Sequence, residues 1–217
     1  MAIKVLLADD HRLLREGLRE LLSRESDIEV VAEAENGRDA ARRARDLAPD
    51  VIIMDVTMPE LNGIEAARQI RSQRPEVRIV ALSIHSDRRF VTQMFAAGAS
   101  GYLPKDCAFT ELVRAIREVA AGRMYLSPVI HQGPIDEYLG RSPAADRSLL
   151  EVLTPREREV LQLLAEGRST KDAAARLHVS IKTIETHRQH IMEKLGIHSI
   201  AELTKYAIRE GLTSLDA

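Results

Sequence analysis

The chain has 217 residues, 45% of them hydrophobic and 29% charged, which is typical of a globular protein with one large or two small domains. Aromatic residues make up only 3% and tryptophan is absent, which argues against a sugar-binding cleft. No apolar run approaches the roughly 20 residues that a membrane span needs. The N-terminus does not resemble a secretion signal, and the single Cys107 excludes an internal disulfide framework. We therefore expect a cytoplasmic protein without a membrane partner.

The first part of the chain alternates short apolar runs with stretches of helical periodicity. Strands are predicted at 3–8, 28–34, 51–54, 77–82 and 101–103, and helices near 11–24, 37–47, 63–73, 87–97 and 108–121. Five strands alternating with five helices predict an α/β domain, in which a five-stranded, doubly wound parallel sheet carries helices on both faces. We place this domain at residues 1–122.

The alternation stops after residue 122. Residues 123–152 are rich in proline and glycine, and we interpret them as a linker that includes a short helix near 144–152. From 153 to 217 the periodicity is only helical. Thr154 begins a capping box with Pro155 at the first helical position, and Ser169 is a second cap. Short helices joined by tight turns predict a small all-α helix-turn-helix domain.

Polar residues follow four of the predicted strands. Asp9 and Asp10 follow the first strand, Asp55 the third, Ser83 the fourth and Lys105 the fifth. Because the carboxyl ends of parallel strands meet at one edge of a sheet, these side chains should converge. Three carboxylates in one crevice favour Mg²⁺, and a carboxylate beside that ion could act as a nucleophile toward a phosphoryl group.

For any one of these acids, a simpler interpretation is a solvated loop residue or a helix cap. Asp10, for example, could cap the first helix. Cys107, close to the same crevice, is either a redox group or an ordinary residue at the start of a helix, and we favour the second.

Several stretches resemble known families. Residues 1–122 resemble a response-regulator receiver domain of the flavodoxin-like fold, through Leu7-Ala8-Asp9-Asp10-His11, Met54-Asp55-Val56-Thr57-Met58-Pro59, Leu82-Ser83 and Gly101-Tyr102-Leu103-Pro104-Lys105-Asp106. Residues 153–212 resemble the LuxR-type helix-turn-helix, through Leu153-Thr154-Pro155-Arg156-Glu157-Arg158-Glu159-Val160-Leu161, Thr183-Ile184-Glu185-Thr186-His187-Arg188 and Lys194-Leu195-Gly196. Together they resemble the NarL/FixJ subfamily of two-component regulators.

The resemblance implies roles for the residues at the strand ends. Asp55 would be the phospho-acceptor, and Asp9, Asp10, Asp55 and the main-chain carbonyl of Thr57 would hold Mg²⁺. Lys105 would contact the phosphoryl group, while Ser83 and Tyr102 would form a switch pair. Thr57 and His85 flank the path of an attacking water in receivers, so we expect them to tune hydrolysis. An exposed loop histidine is an equally good interpretation of His85.

The predicted helix over 181–195 has an apolar stripe formed by Ile184, Ile191 and Leu195. By resemblance it is the recognition helix that enters the major groove of double-stranded DNA. Glu185, Thr186 and Gln189 are the candidates for base contacts, and Lys182, Thr183, Arg188 and Lys194 for phosphate contacts. His187 could do either. Glu185 could instead form a helix salt bridge or hydrogen bond with Arg188 or Gln189.

We therefore predict a transcription regulator that a histidine kinase phosphorylates on Asp55. It would bind promoter DNA as a homodimer, through the receiver, the helix at 199–210 or both. It would not be an enzyme, apart from Mg²⁺-dependent self-phosphotransfer and autodephosphorylation. One alternative is a phosphatase-like enzyme, although no second acid after Asp55 is placed to protonate a leaving group. The other is a phosphate-independent DNA binder whose receiver only dimerises.

Overall fold

The computed structural model describes residues 2–130 and 152–213. The chain divides into two compact units, with the division after Arg141. The described part of the first unit alternates strands and helices, and that of the second is helical.

The first unit contains every strand and helix expected from the periodicity, with small shifts at the ends. The strands are β1 (Ile3–Ala8), β2 (Ile28–Ala34), β3 (Val51–Asp55), β4 (Arg78–Ser83), β5 (Gly101–Pro104) and β6 (Tyr125–Leu126). The helices are α1 (Arg12–Leu22), α2 (Gly37–Leu47), α3 (Gly63–Gln73), α4 (Arg88–Ala96) and α5 (Phe109–Ala120).

The strands form one parallel sheet in the order β2-β1-β3-β4-β5-β6. The order reverses beside β1, which pairs with β2 on one side and β3 on the other. This confirms the doubly wound parallel architecture. The ends of β1, β3, β4 and β5 consequently lie side by side at one edge, where a ligand crevice is expected.

The sheet has six strands, whereas the sequence predicts five. β6 pairs with β5 through Gly101↔Tyr125 and Tyr102↔Leu126. It lies in the range predicted as linker, because a strand of two residues is too short to have a recognisable period. The domain limits 1–122, 123–152 and 153–217 stay predictions, and the predicted helix near 144–152 lies almost entirely outside the described residues.

Helices cover both faces of the sheet, each over its own apolar core. On one face α2, α3 and α4 contribute residues such as Ala40, Ile70 and Met94. On the other, Leu22 of α1 and Ile116 of α5 pack on the alternate residues of the strands. β3 is buried along its whole length, as expected of a central parallel strand.

The second unit consists of α6 (Pro155–Ala165), α7 (Thr170–Leu177), α8 (Ile181–Leu195) and α9 (Ile200–Arg209). The Thr154 capping box and the Ser169 cap are both present, as predicted. α7 is followed by its C-cap residue His178, whose left-handed conformation turns the chain toward α8. Ile184 and Ile191 of α8 are fully buried in the core of this unit. None of the helices in the described ranges is both long and apolar enough to span a membrane.

Two glycines give a matched test of the packing between α2 and its neighbour α3. A Cβ on Gly37 would lie 2.2 Å from the Leu61 carbonyl oxygen and 2.9 Å from Ala66 Cβ, whereas a Cβ on Gly17 in α1 meets nothing within 4 Å. Gly37→Ala should therefore lower the free energy of unfolding by about 2–3 kcal/mol. Gly17→Ala should raise it by about 1 kcal/mol, because alanine favours the helix. Urea unfolding measures both, and equal effects would contradict the packing described.

Candidate functional site

The edge of the sheet brings the predicted acids together. Asp9 and Asp55 are buried, with 4% and 3% of their surfaces exposed, and Asp10 is more open. Ligand atoms of Asp9, Asp10, His11 and Asp55 all lie within 4.8 Å of one another. The convergence expected from topology is therefore present. Asp10 does not cap α1, since His11 is the residue at the N-cap position.

Lys105 lies between the two buried carboxylates. Its Nζ is 2.6 Å from Asp55 Oδ2 and 2.8 Å from Asp9 Oδ2. Burial alone would lower the pKa of Lys105, but the two carboxylates raise it above its ordinary value. The ammonium therefore stays charged and partly neutralises the acids.

Asp55 is held in an environment that disfavours its charge. Burial and the neighbouring Asp9 carboxylate raise the pKa of Asp55 from 3.8 to about 6, although Lys105 and the Thr57 N–H oppose the shift. Without a bound cation, Asp55 accordingly contributes stability below its ordinary pKa, and this contribution is lost as the pH rises through about 6. The ionised site is thus poised to accept a further positive charge.

Ser83 and Tyr102 meet through the backbone of one residue. The His85 N–H donates to Ser83 Oγ at 3.0 Å, and the Tyr102 hydroxyl donates to the His85 carbonyl at 2.6 Å. Both side chains are fully buried, so the Tyr102 ring points inward. Burial raises the pKa of Tyr102 well above its usual range, which keeps the hydroxyl a hydrogen-bond donor.

His85 also contacts the acceptor loop. Its Nε2 lies 3.3 Å from Thr57 Oγ1, while the Thr57 N–H donates to Asp55 Oδ1 at 3.2 Å. The imidazole stacks on Phe90 of α4, with ring centroids 4.2 Å apart. Burial lowers the pKa of His85, which favours the neutral ring. His85 is therefore not an exposed loop histidine.

Two contributors to the site are missing from the sequence-based set. His11 lies beside the acids, with Nδ1 3.0 Å from both Asp9 Oδ1 and Asp10 Oδ1. Arg15 of α1 is buried and donates to the Asp9 carbonyl. The sequence could have indicated Arg15 through its spacing of seven residues from Leu22, which places both residues on one face of α1. These two are the buried residues of that helix.

Cys107 packs against the apolar core, and burial raises the pKa of its thiol to about 11, which supports its interpretation as an ordinary structural residue.

The second unit presents a polar surface along α8. An open groove there is lined by Lys182, Glu185, Thr186, Arg188, Gln189, Met192, Glu193 and His198. The Thr186 hydroxyl donates to the Lys182 carbonyl, and the Gln189 amide donates to Glu193. Glu185 is exposed and has no salt bridge or hydrogen-bond partner among the described residues, so the alternative of a pair with Arg188 or Gln189 is not seen.

The other predicted DNA contacts are placed differently. Thr183 lies in the first turn of α8, where its N–H donates to Ser180 Oγ, and His187 is half-buried. Lys194 does not line the groove. Its Nζ is 2.8 and 2.7 Å from the two carboxylate oxygens of Glu157, a buried residue at the start of α6. The structure therefore commits Lys194 to an ion pair within the unit.

A parallel α/β unit with three acids and a lysine at its strand ends, joined to a helix-turn-helix unit, defines the class of response regulators with a helical output domain. Comparisons with known proteins agree. Residues 5–117 match the response regulator receiver domain, and residues 151–207 match the bacterial regulatory proteins of the luxR family. The chain belongs to the two-component response regulators that carry a LuxR-type helix-turn-helix domain.

Individual relatives cover between 64% and 96% of the chain. The transcriptional regulatory protein DegU of Brevibacillus brevis is 36% identical, over 96% of this chain and 94% of DegU. A LuxR-family response regulator from Aurantimonas sp. SI85-9A1 is 40% identical, with a TM-score of 0.60, over 64% of this chain and 99% of that one. The response regulator RcsB, solved in complex with DNA, is 26% identical, with a TM-score of 0.57, over 95% of this chain and 98% of RcsB.

Receiver domains bind Mg²⁺ at an acidic pocket, and the residues of this chain fit that ion. Carboxylate oxygens are the ligands that Mg²⁺ prefers. One of them, Asp9 Oδ2, is buried, and the partner found for it among the described residues is the Lys105 ammonium, in an ion pair without well-directed hydrogen-bond geometry. A carboxylate oxygen has two lone pairs, so this oxygen can still accept a divalent cation.

The ion pair between Lys194 and Glu157 allows a test that distinguishes a lysine with a structural role from a lysine that only lines the groove. Although burial acts to raise it, Lys194 and the Thr154 N–H hold the pKa of Glu157 below its ordinary 4.5. Lys194→Met should lower the free energy of unfolding at pH 7 by about 1–3 kcal/mol, because a buried carboxylate loses its partner. The deficit should shrink as the pH falls below 4.5 and vanish once the pH is below the lowered pKa of Glu157, where the carboxyl is protonated in the folded wild type as well.

Chemical denaturation measures this change. Lys182→Met is the matched control, since Lys182 is exposed on the same helix. We expect it to leave stability unchanged. An equal loss in the two variants would mean that the ion pair with Glu157 contributes nothing.

Proposed function

We propose that Asp55 accepts a phosphoryl group from a phosphohistidine of a partner kinase, and that the phosphorylated chain binds promoter DNA with higher affinity. The observation that carries the proposal is the meeting of Asp9, Asp10, Asp55 and Lys105 at one edge of the sheet. The RcsB complex supports DNA as the partner of the helical unit.

The transfer would begin with an oxygen of the Asp55 carboxylate. It attacks phosphorus, an O–P bond forms, and the N–P bond of the phosphohistidine breaks, so that the imidazole leaves with the bonding electrons and takes up a proton. Mg²⁺, held by Asp9, Asp10, Asp55 and the Thr57 carbonyl, would supply charge stabilisation for the phosphoryl oxygens. Lys105 would supply a second positive charge from the end of β5, where it already lies against both buried acids.

The new charge would then act on Ser83. The Ser83 hydroxyl, which now accepts the His85 N–H, turns to donate to the phosphoryl group. Since the Tyr102 hydroxyl is hydrogen-bonded to the carbonyl of the same His85, the inward position of the Tyr102 ring depends on the backbone at His85. One of two receiver states is thereby favoured, at the cost of the other.

The polar surface of α8 would contact DNA. Lys182, Thr183 and Arg188 are proposed for phosphates, and Glu185, Thr186 and Gln189 for base edges. Because the Thr186 hydroxyl is used within the helix, its methyl group is the part available to thymine. His187 and Lys194 stay in the proposed contact set, with the ion pair of Lys194 as a competing role. Ile200 of α9 is 40% exposed and would contribute to a homodimer on paired half-sites.

Labelling and DNA selection test the switch and the output together. The purified chain should take up label from acetyl phosphate with Mg²⁺, and beryllofluoride, a phosphoryl mimic, should increase its recovery of selected DNA. Asp55→Asn should abolish both effects. It should remain folded, since burial disfavours a charge at this position, as the raised pKa of Asp55 indicates, and a neutral amide carries none. Full, unregulated DNA binding by Asp55→Asn would instead favour a receiver that only dimerises.

The same selection tests Glu185. Glu185→Gln should change the preferred base at one position, because a carboxylate accepts a bond from cytosine and an amide can also donate. Lys182→Met should weaken binding to all sequences alike. An unchanged preference in Glu185→Gln would remove Glu185 from the base contacts.

We further propose that His85 and Thr57 limit the access of water to the acyl phosphate of Asp55. His85 lies against Thr57 Oγ1 and is fixed by Phe90. His85→Ala should accelerate dephosphorylation several-fold, because it opens this side of the pocket. Ile84→Ala is the control, since Ile84 adjoins His85 but is 72% exposed. An unchanged rate of label loss in His85→Ala would contradict the role.

A further inference from the structure

One arginine of the first unit lies in an unusual place. Arg15 is a residue of α1 but only 5% exposed. The neighbouring Arg12 and Arg19 of the same helix have side chains that are 82% and 59% exposed. Removing a guanidinium from water is costly, so a buried arginine requires specific partners.

The three partners of Arg15 belong to two segments outside its own helix. Its Nη1 donates to the main-chain carbonyl of Asp9 at 2.6 Å, and its Nη2 donates to Glu35 Oε1 at 3.0 Å. Its Nε lies 3.5 Å from Glu33 Oε2, on β2. The guanidinium therefore connects α1, the end of β2 and the loop that carries the first two acids of the pocket.

The Asp9 backbone is held by hydrogen bonds at both its N–H and its carbonyl. Its N–H donates to the Ala34 carbonyl at 3.1 Å, and its carbonyl accepts from Arg15. This backbone sets the direction of the Asp9 side chain, whose Oδ2 is buried beside Lys105. Two carboxylates in one crevice repel each other, so an unfixed Asp9 would turn away from Asp55.

We propose that Arg15 is a positioning residue for the divalent cation, which it serves by holding the Asp9 backbone. The inference rests on the proposed function, since it presupposes that the pocket binds Mg²⁺. The charge of Arg15 by itself would oppose a cation, but Glu33 and Glu35 lie against the guanidinium and neutralise it. Arg15 therefore affects the pocket by fixing the position of Asp9, and not through its charge.

Geometry and charge predict opposite results for Arg15→Met. If Arg15 acts through its charge, the loss of a cation near the pocket tightens Mg²⁺ binding. If it positions Asp9, the Kd of Mg²⁺ rises about tenfold, the lower end for residues that orient metal ligands. Arg15→Lys retains the charge but has no planar fork with which to reach all three partners, so its Kd should also rise, by less than in Arg15→Met.

Arg19→Met is the matched control. Arg19 lies one turn further along α1, and its Nη1 is 3.4 Å from the same Glu33, but no contact with Asp9 is found among the described residues. Its Kd for Mg²⁺ should equal that of the wild type. Glu35→Gln, which loosens one anchor and leaves the bond to the Asp9 carbonyl, should give a small increase.

The experiment is titration of the full chain with MgCl₂ by isothermal calorimetry, together with thermal unfolding with and without Mg²⁺. We expect Arg15→Met to lose most of the rise in unfolding temperature that Mg²⁺ produces. Binding as tight as or tighter than in the wild type, with an equal drop in unfolding temperature in both conditions, would overturn the inference and leave only a structural role. Should Arg15→Met not fold, Arg15→Lys against Arg19→Met decides the question. Absence of Mg²⁺ binding by the wild type would instead refute the proposed function.

Discussion

Two like charges are buried side by side at the carboxyl end of the sheet in the first unit. Asp9 and Asp55 are almost completely removed from water, and their close positive partner is the ammonium of Lys105. Such an arrangement costs free energy, which is visible in the raised pKa of Asp55. The large apolar cores on both faces of the sheet can support this cost. Because of the same cost, a cation that binds beside the two carboxylates would stabilise the pocket.

The contacts around His85 connect this pocket with the rest of the receiver. Its backbone joins Ser83 to Tyr102, and its ring joins Thr57 to Phe90 on α4. Ser83, Tyr102 and α4 are therefore linked through one residue. The helical unit has a complementary division of roles. Its apolar stripe fixes α8 in the core, and the opposite polar face is left for a partner.

Much of this organisation could be predicted from the sequence. The alternation of strand and helix periods is local, and it gave five strands and the helices of both units. The ends of parallel strands meet for topological reasons, so Asp9, Asp55, Ser83 and Lys105 could be placed together without a structure. β6 could not be predicted, because two residues become a strand only by pairing with β5. Lys194 was assigned to DNA phosphates by resemblance, whereas its partner Glu157 lies 37 residues earlier and becomes a neighbour only when α6 packs on α8.

Periodicity and chain order are properties of the linear chain, so the sequence alone was enough to assign the polar residues to particular strand ends. The way in which those residues are held depends on the folded protein. Three contacts join segments that are separate in the chain: the hydrogen bond from Arg15 to the Asp9 carbonyl, the hydrogen bond from Tyr102 to the His85 carbonyl, and the stacking of His85 on Phe90. Their distances and burial depend on the packing of whole elements, and no local pattern encodes that packing.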